Sequence, residues 1–291
     1  MTAHDHPAIA DRLVEDWLVS LDLNAAFDRQ WTDEAVAWAL RGAAADGARC
    51  VLDVGCGAGG AACAFAHHLG DGALVVAVDR DPRLVRQARD RAEADGVAGR
   101  VGLCAGEVGA LPVCPASMGV VWASGVVHHL PDQQAAVEGL VRLAVPGGHV
   151  VLVEGGLPIR CLPHDVGVGR PGLEARLDAA RARWFEDMRS EVAGPPLPYG
   201  WPEALRRAGL VDVRTRSFLA EAVPPLDEVG QRIVEQHLGS ALRELGERLD
   251  PDDRRTLARL LDPDDAAGVR NRDDLVVAAV RTVHAGTRRA T

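Results

Sequence analysis

The sequence has no lysine, and this absence limits the chemistry that the protein can perform. All 32 basic residues are arginine, against 42 aspartates and glutamates, so the formal net charge is −10. Without lysine the chain cannot form a Schiff base, hold phosphate in a Walker-type loop or provide a Tyr-x-x-x-Lys pair. The acidic balance also argues against nucleic acid as a partner and against docking on an anionic membrane.

Paired cysteines and long apolar runs are lacking as well. The six cysteines stand at positions 50, 56, 63, 104, 114 and 161, and none forms a C-x-x-C pair. We therefore predict free thiols, a reducing compartment and no metal site. No uncharged run approaches the ~20 residues of a membrane span, and the opening MTAHDHPAIADR lacks the apolar core of a signal peptide. We expect a cytoplasmic protein.

Short apolar runs alternate with helical segments in the first half of the chain. We predict strands at 51–54, 74–78, 101–104, 120–123 and 149–153, and helices at 61–69, 82–95 and 132–144. This alternation predicts an α/β fold with a parallel sheet between two layers of helices. Helices are also predicted over 7–45, with Thr32 as a cap, and over 173–192, 202–208 and most of 226–262. Two further strands are predicted at 210–216 and 275–283.

A glycine-rich turn follows the first predicted strand. The string VLDVGCGAGG places Gly55, Gly57 and Gly60 in G-x-G-x-x-G spacing, between a strand and a helix whose N-terminal amides favour negative charge. Asp79 ends the next strand about 20 residues further on, where a carboxylate can bind ribose hydroxyls. These features predict a nucleoside ligand.

Asp53 discriminates between nucleoside ligands. A carboxylate two residues before the first glycine would repel the pyrophosphate of a dinucleotide. It suits a ligand that carries an ammonium and a sulfonium group, as S-adenosylmethionine does. The alternative is a structural role, in which Asp53 accepts backbone N–H bonds that hold the glycine turn.

Together these motifs resemble the class I S-adenosylmethionine-dependent methyltransferases. The matching strings are VLDVGCGAGG, VVAVDRD, AGEVGALPV, VVWASGVVHHLPD and LAVPGGHVVLVE, in the family's order over roughly residues 50–154. The resemblance implies a Rossmann-like, seven-stranded, mostly parallel sheet with one reversed strand and a helical lid. It divides the chain into an N-terminal helical lid (1–46), a cofactor-binding core (47–155), a substrate-side helical insertion (156–200) and the rest of the sheet with a helical insertion at about 226–262 (201–291).

The resemblance also implies a cofactor site. Asp79 would bind the ribose, and Glu107, where the family more often has Asp, would stand with Val108 beside the adenine. The remaining expected contacts are Asp53, Gly55, Cys56, Gly57, Arg80, Ala123, Ser124, Gln30 and Trp31, of which the last two would close over the cofactor.

His128, His129 and Glu154 are the candidates for catalysis, because they follow predicted strands at the edge where open α/β sheets bind ligands. In-line methyl transfer needs a base only if the nucleophile must lose a proton. His129 could be that base, because an imidazole changes its protonation state near neutral pH. Alternatively, the HHLPD loop only packs and caps the next helix, and Glu154 either binds substrate or caps the loop.

We therefore predict a methyltransferase that transfers the methyl group of S-adenosylmethionine to an oxygen or nitrogen of a small molecule. The helices at 173–192 and 226–262 are long enough to roof a pocket, which fits a natural-product scaffold from secondary metabolism, and the Arg-rich, Lys-free composition fits a high-GC bacterium. One alternative is an NAD(P)-dependent oxidoreductase, which G-x-G-x-x-G and Arg80 favour and Asp53 opposes. The other is a methyltransferase-like fold that uses the cofactor without methylation. A homodimer through the N-terminal helices is left open.

Overall fold

A computed structural model describes residues 23–41, 49–191 and 194–290. Its strands are β1 (Cys50–Val54), β2 (Leu74–Asp79), β3 (Val101–Ala105), β4 (Met118–Ser124), β5 (Ala144–Arg160), β6 (Leu210–Ala222) and β7 (Val277–Arg288). They form one seven-stranded mixed sheet in the order β3-β2-β1-β4-β5-β7-β6, and the four pairings among β1 to β5 are parallel. The predicted Rossmann-like α/β fold is confirmed.

Helices follow the strands as the periodicity predicts. They are α1 (Arg29–Leu40), α2 (Gly60–Leu69), α3 (Pro82–Ala94), α4 (Gln133–Leu143), α5 (Leu173–Glu191), α6 (Trp201–Arg207), α7 (Glu228–Leu245) and α8 (Pro251–Leu261). Aspartate side chains cap several of them: Asp81 accepts the N–H of Arg83 at the start of α3, and Asp132 accepts that of Ala135 in α4. Thr32 does not cap a helix; that prediction is wrong, because α1 begins one turn earlier, after Asp28.

Continuous apolar runs mark the central strands because both faces of the sheet are covered. Leu52 and Val54 of β1 and Val121 of β4 are almost wholly buried in one core cluster. On the other side, the rings of Phe65 and Trp122 meet edge to face, 5.4 Å between centroids. Strands buried on both faces are typical of parallel sheets.

Strand β5 is much longer than the predicted 149–153. It runs through the Pro146-Gly147-Gly148 segment that precedes the predicted strand. A Cβ at Gly148 would lie 2.9–3.1 Å from three backbone carbonyl oxygens, so only glycine fits this crowded place in the sheet. The far end of β5 is largely exposed, so no apolar run marks it in the sequence.

The chain divides into two compact units. Unit 1 contains Met1–Gly156, Gly194–Phe218 and Arg281–Thr291; unit 2 contains Leu157–Ala193 and Leu219–Val280. Residues 1–22 and 42–46 of the predicted N-terminal lid lie outside the described residues, and the four-segment division stays a prediction. Across the residues described, no helix combines the length and apolar character that a bilayer crossing requires.

Unit 2 is held together by a buried ion pair. Asp253 of α8 is 2% exposed and accepts two hydrogen bonds from the guanidinium of Arg176 on α5, at 2.8 and 2.9 Å, and a third from Arg170 at 3.3 Å. These hydrogen bonds from arginine hold the pKa of Asp253 below its usual value. In α7, burial lowers the pKa of His237 to about 4.

Candidate functional site

The glycine turn joins β1 to α2 and is tied to the end of β2. The N–H groups of Gly55 and Cys56 both donate to the carbonyl oxygen of Val78, at 2.8 and 3.0 Å. Gly55, Gly57 and Gly59 all have positive φ, a conformation that glycine adopts without strain. Positive φ therefore accounts for Gly55 and Gly57 of the sequence motif, whereas Gly60, its third glycine, begins α2.

Asp79 links this turn to the second strand. One carboxylate oxygen accepts the Gly57 N–H at 3.0 Å, and the other accepts the N–H of Asp81 at 3.0 Å. The residue is 8% exposed. Asp79, the acid that we expected to bind ribose, follows Gly57 by 22 residues in the sequence and lies directly against the glycine turn.

Asp53 is buried and incompletely paired. It is 1% exposed, and its Oδ2 atom has no hydrogen-bond partner among the described residues. Burial, together with the nearby charge of Asp79, raises its pKa to about 7, although a hydrogen bond from the Ala62 backbone opposes the shift. A buried carboxylate of this kind favours a positively charged neighbour.

The room for an added Cβ atom differs among the glycines of the turn. A Cβ at Gly55 would lie 2.3 Å from a methyl carbon of Val126, and one at Gly59 would lie 2.9 Å from the Cβ of Ala88. A Cβ at Gly57 would meet nothing within 4 Å. The turn is therefore packed at both ends and open at Gly57.

The other predicted cofactor contacts have different environments. Ala123 is buried and Ser124 partly exposed at the end of β4, on the same sheet edge as Asp53. Val108 is half-buried, whereas Glu107 and Arg80 are exposed. Gln30 and Trp31 lie on α1, which packs against α2; Trp31 is buried, and Gln30 is exposed and donates to Glu34.

A second acidic side chain, Glu154 of β5, holds the loop that follows β4. Its Oε1 accepts the N–H groups of Val126 and Val127 at 3.1 and 2.8 Å. Its Oε2 lies 2.7 Å from Nδ1 of His128. The carboxylate is 2% exposed, and the His128 side chain is 30% exposed. The structure therefore brings His128 and Glu154 together as a hydrogen-bonded pair.

His129 lies beside this pair, with its ring centroid 3.9 Å from that of His128. It is exposed, and its backbone N–H donates to the carbonyl of Val126. Of the two neighbouring imidazoles, His128 is the one that a buried carboxylate orients.

Sequence reasoning missed two residues behind Glu154. Nε2 of His284, on β7, lies 3.2 Å from the backbone oxygen of Glu154, and its Nδ1 lies 3.0 Å from the Thr215 hydroxyl. Since a carbonyl oxygen only accepts, Nε2 carries the proton and Nδ1 accepts from Thr215. The one sequence signal is a histidine inside the apolar run of β7, 130 residues after Glu154.

Known proteins are similar to this chain in sequence and in fold. A methyltransferase-domain family model matches residues 52–152. The nocamycin O-methyltransferase of Saccharothrix syringae is 32% identical over 215 residues, which are 72% of this chain and 74% of that enzyme. The 27-O-demethylrifamycin SV methyltransferase of Amycolatopsis mediterranei is 33% identical over 102 residues, 35% of this chain and 37% of that one.

A crystal structure from Bacillus halodurans, described as that of a methyltransferase, has a TM-score of 0.53 and covers 87% of this chain and 98% of its own. At 16% identity it shows the likeness of fold alone. Several curated relatives, the Amycolatopsis enzyme among them, are matched over only 26–37% of their own length.

The sequence similarities define the class of this protein as a methyltransferase. The chain belongs to the class I methyltransferases that take the methyl group from S-adenosylmethionine. This assignment favours the first of the predicted functions over the oxidoreductase alternative.

The residues present fit that cofactor. The unpaired, buried Oδ2 of Asp53 calls for a cationic partner, and the cofactor carries an ammonium group as well as a sulfonium. The opening at Gly57 gives a ligand access to the backbone of the turn, and Asp79 ends the adjacent strand. We expect these three residues to hold the cofactor.

Proposed function

We propose that the protein methylates a hydroxyl oxygen of a secondary metabolite, with His128 as the general base. The hydrogen-bonded pair of His128 and Glu154 is the observation on which this proposal depends. The similarity to the nocamycin O-methyltransferase, which extends over 72% of the chain, supports oxygen as the acceptor atom and a small molecule as the substrate.

The tautomer of His128 follows from its contact with Glu154. A carboxylate accepts hydrogen bonds, so Nδ1 of His128 donates and Nε2 keeps a lone pair. Nε2 can then accept the proton of a substrate hydroxyl, and the buried negative charge of Glu154 stabilises the imidazolium that forms. The backbone N–H bonds to Glu154 hold the carboxylate in place for this role.

Deprotonation makes the substrate oxygen a better nucleophile. When bound, the cofactor would supply a methyl group carried on a positively charged sulfur. The sulfur would keep the electron pair of the broken carbon–sulfur bond. Asp53 and the glycine turn orient the cofactor end of the reaction, whereas His128 accepts the hydroxyl proton. The protein contributes mainly orientation and proton removal.

The acceptor atom can be tested with S-adenosylmethionine that carries a ¹³C-labelled methyl group. Purified protein would be incubated with a panel of hydroxylated polyketides, amines and thiols, and S-adenosylhomocysteine release measured by chromatography. We expect turnover with a hydroxylated compound and a product methyl carbon with the chemical shift of a methyl ether. Transfer only to amines or thiols would contradict the proposal.

The base can be tested with matched variants once a substrate is found. His128→Ala should lower kcat about 10²- to 10⁴-fold, the usual contribution of a positioned base. Glu154→Gln, which keeps an oxygen for the backbone amides but places an amide near His128, should also lower kcat. His129→Ala is the control and should change kcat much less. Equal losses in the two histidine variants would refute the assignment to His128.

A further inference from the structure

Unit 2 contains a cluster of three metal-ligating side chains that the methyltransferase site does not use. Cys161, Glu174 and His237 each offer one ligand atom, and these atoms lie within 4.8 Å of one another. Within the described ranges of the chain, this is the one group of three such residues that was found. Thiol, carboxylate and imidazole are the three side-chain types that bind zinc.

Three separate segments of unit 2 build the cluster. Cys161 directly follows β5, Glu174 lies in the first turn of α5, and His237 lies in α7. Oε1 of Glu174 accepts the N–H groups of Cys161 and Leu162, at 2.7 and 3.2 Å. These bonds fix the carboxylate beside the cysteine.

Burial makes the arrangement more than a chance surface grouping. Cys161 is 1% exposed, and Glu174 and His237 are both partly buried. The guanidinium of the neighbouring Arg160 forms an ion pair with Asp178.

We propose that Cys161, Glu174 and His237 bind one zinc ion, with water in the fourth position. A thiolate and a carboxylate together balance the two charges of Zn²⁺, and a histidine nitrogen completes three protein ligands. Zinc–ligand bonds of about 2.0–2.3 Å place tetrahedral ligand atoms roughly 3–4 Å apart, so the side chains need to close by about 1 Å. The ion would tie the end of β5 to α5 and α7.

Cobalt(II) tests the site because it occupies zinc sites and reports a thiolate ligand by absorption. The whole protein would be stripped with a chelator and titrated with Co²⁺, and then with Zn²⁺ in competition. We expect a sulfur-to-cobalt charge-transfer band that saturates at one equivalent and is abolished by one equivalent of Zn²⁺. Absence of the band in folded wild-type protein overturns the proposal without recourse to any variant.

Variants identify the ligands. Cys161→Ser should abolish the charge-transfer band, and His237→Gln should weaken Zn²⁺ binding at least about 10-fold, a loss typical even of outer-shell changes at metal sites. The double variant Cys114→Ser, His67→Gln removes the same groups from exposed positions and should bind zinc like wild type.

Circular dichroism and binding of S-adenosylhomocysteine would show that each variant is folded. Zinc should also raise the Tm of wild-type protein but not that of folded Cys161→Ser. Wild-type affinity for zinc in folded His237→Gln, or an unchanged cobalt spectrum in folded Cys161→Ser, would show that the ion binds elsewhere and refute the site. These readouts do not depend on methyl transfer, so failure of the proposed O-methylation leaves them intact.

Discussion

The cofactor-free protein should hold a proton on Asp53 in mildly acidic solution and release it when a cationic ligand binds. Its pKa of about 7 results from burial and from the neighbouring charge of Asp79. An ammonium group beside the carboxylate stabilises the ionised form and lowers this pKa. Affinity for S-adenosylhomocysteine, which carries the same ammonium group, should therefore increase as the pH rises towards 7.

The pKa sets the size of the effect. If the bound ligand returns Asp53 to its usual pKa, affinity at pH 5.5 should be roughly 15-fold weaker than at pH 7, because the free protein must first lose a proton. The ammonium of the ligand stays largely protonated over this range, since an α-amino group titrates at about 7.7–8.0. The pH dependence therefore reports the protein rather than the ligand.

Isothermal titration calorimetry at the two pH values measures this change. Asp53→Asn cannot titrate, so it should bind more weakly at pH 7 and lose most of the pH dependence. Methylthioadenosine lacks the amino-acid group and is the matched neutral ligand, whose affinity should hardly change. Equal affinities of wild type for S-adenosylhomocysteine at both pH values, or the same pH dependence in Asp53→Asn, would refute the reasoning.

The same proton also affects stability. A carboxyl group whose pKa is raised in the folded state stabilises the protein below its unfolded pKa, and this contribution is lost as the pH rises to the folded pKa. The free energy of unfolding of wild type, relative to Asp53→Asn, should fall by about 1.4 kcal/mol per pH unit between about pH 4 and pH 7. Urea denaturation without ligand measures it.

Substitutions at four further residues test the framework around the site and in unit 2. Gly59→Ala should lower the free energy of unfolding by more than about 2 kcal/mol, because its Cβ would clash with α3 and its φ is positive. Gly57→Ala, whose Cβ would lie in open space, should lower it by about 1 kcal/mol. Urea denaturation measures both, and equal losses would contradict the prediction. Asp253→Asn should cost about 3 kcal/mol at pH 7, and the difference from wild type should vanish as the pH falls through the lowered pKa of the aspartate, below 3.8. His284→Phe removes the donor to the Glu154 carbonyl and should lower kcat, while the Kd for S-adenosylhomocysteine stays unchanged. His284→Gln should restore part of the lost kcat. A lower affinity for S-adenosylhomocysteine in His284→Phe would instead argue for a merely structural role.

The central strands could be predicted from the sequence because burial on both faces leaves a continuous apolar run. Strand β1 begins one residue before its predicted start, and β2 extends one residue beyond its predicted end. The ends of β5 and β6 could not be predicted in this way. Residues 155–158 of β5 are exposed, and Gly155 and Gly156 have positive φ, so neither apolar periodicity nor strand propensity marks them.

The site was predictable where the chain itself brings residues together. The glycine turn and Asp79 belong to one strand–helix–strand unit, whose geometry fixes their approach. His284 and Thr215 come from strands far along the chain, and only the order of β5, β7 and β6 in the sheet places them behind Glu154. Long-range strand order leaves no local pattern for sequence reasoning to find.

Asp53 and Glu154 are two acids at one sheet edge whose hydrogen bonds differ. Both are buried carboxylates on parallel strands. In the structure, one oxygen of Glu154 accepts three backbone N–H bonds and the other accepts one from the His128 side chain, whereas Oδ2 of Asp53 accepts none from the described residues. A buried acid with a complete set of donors holds its own loop in place, and a buried acid with an unpaired oxygen gains stability from a ligand that brings a positive charge. From this distribution of hydrogen-bond donors we propose that the cofactor binds beside Asp53 and that Glu154 orients the base.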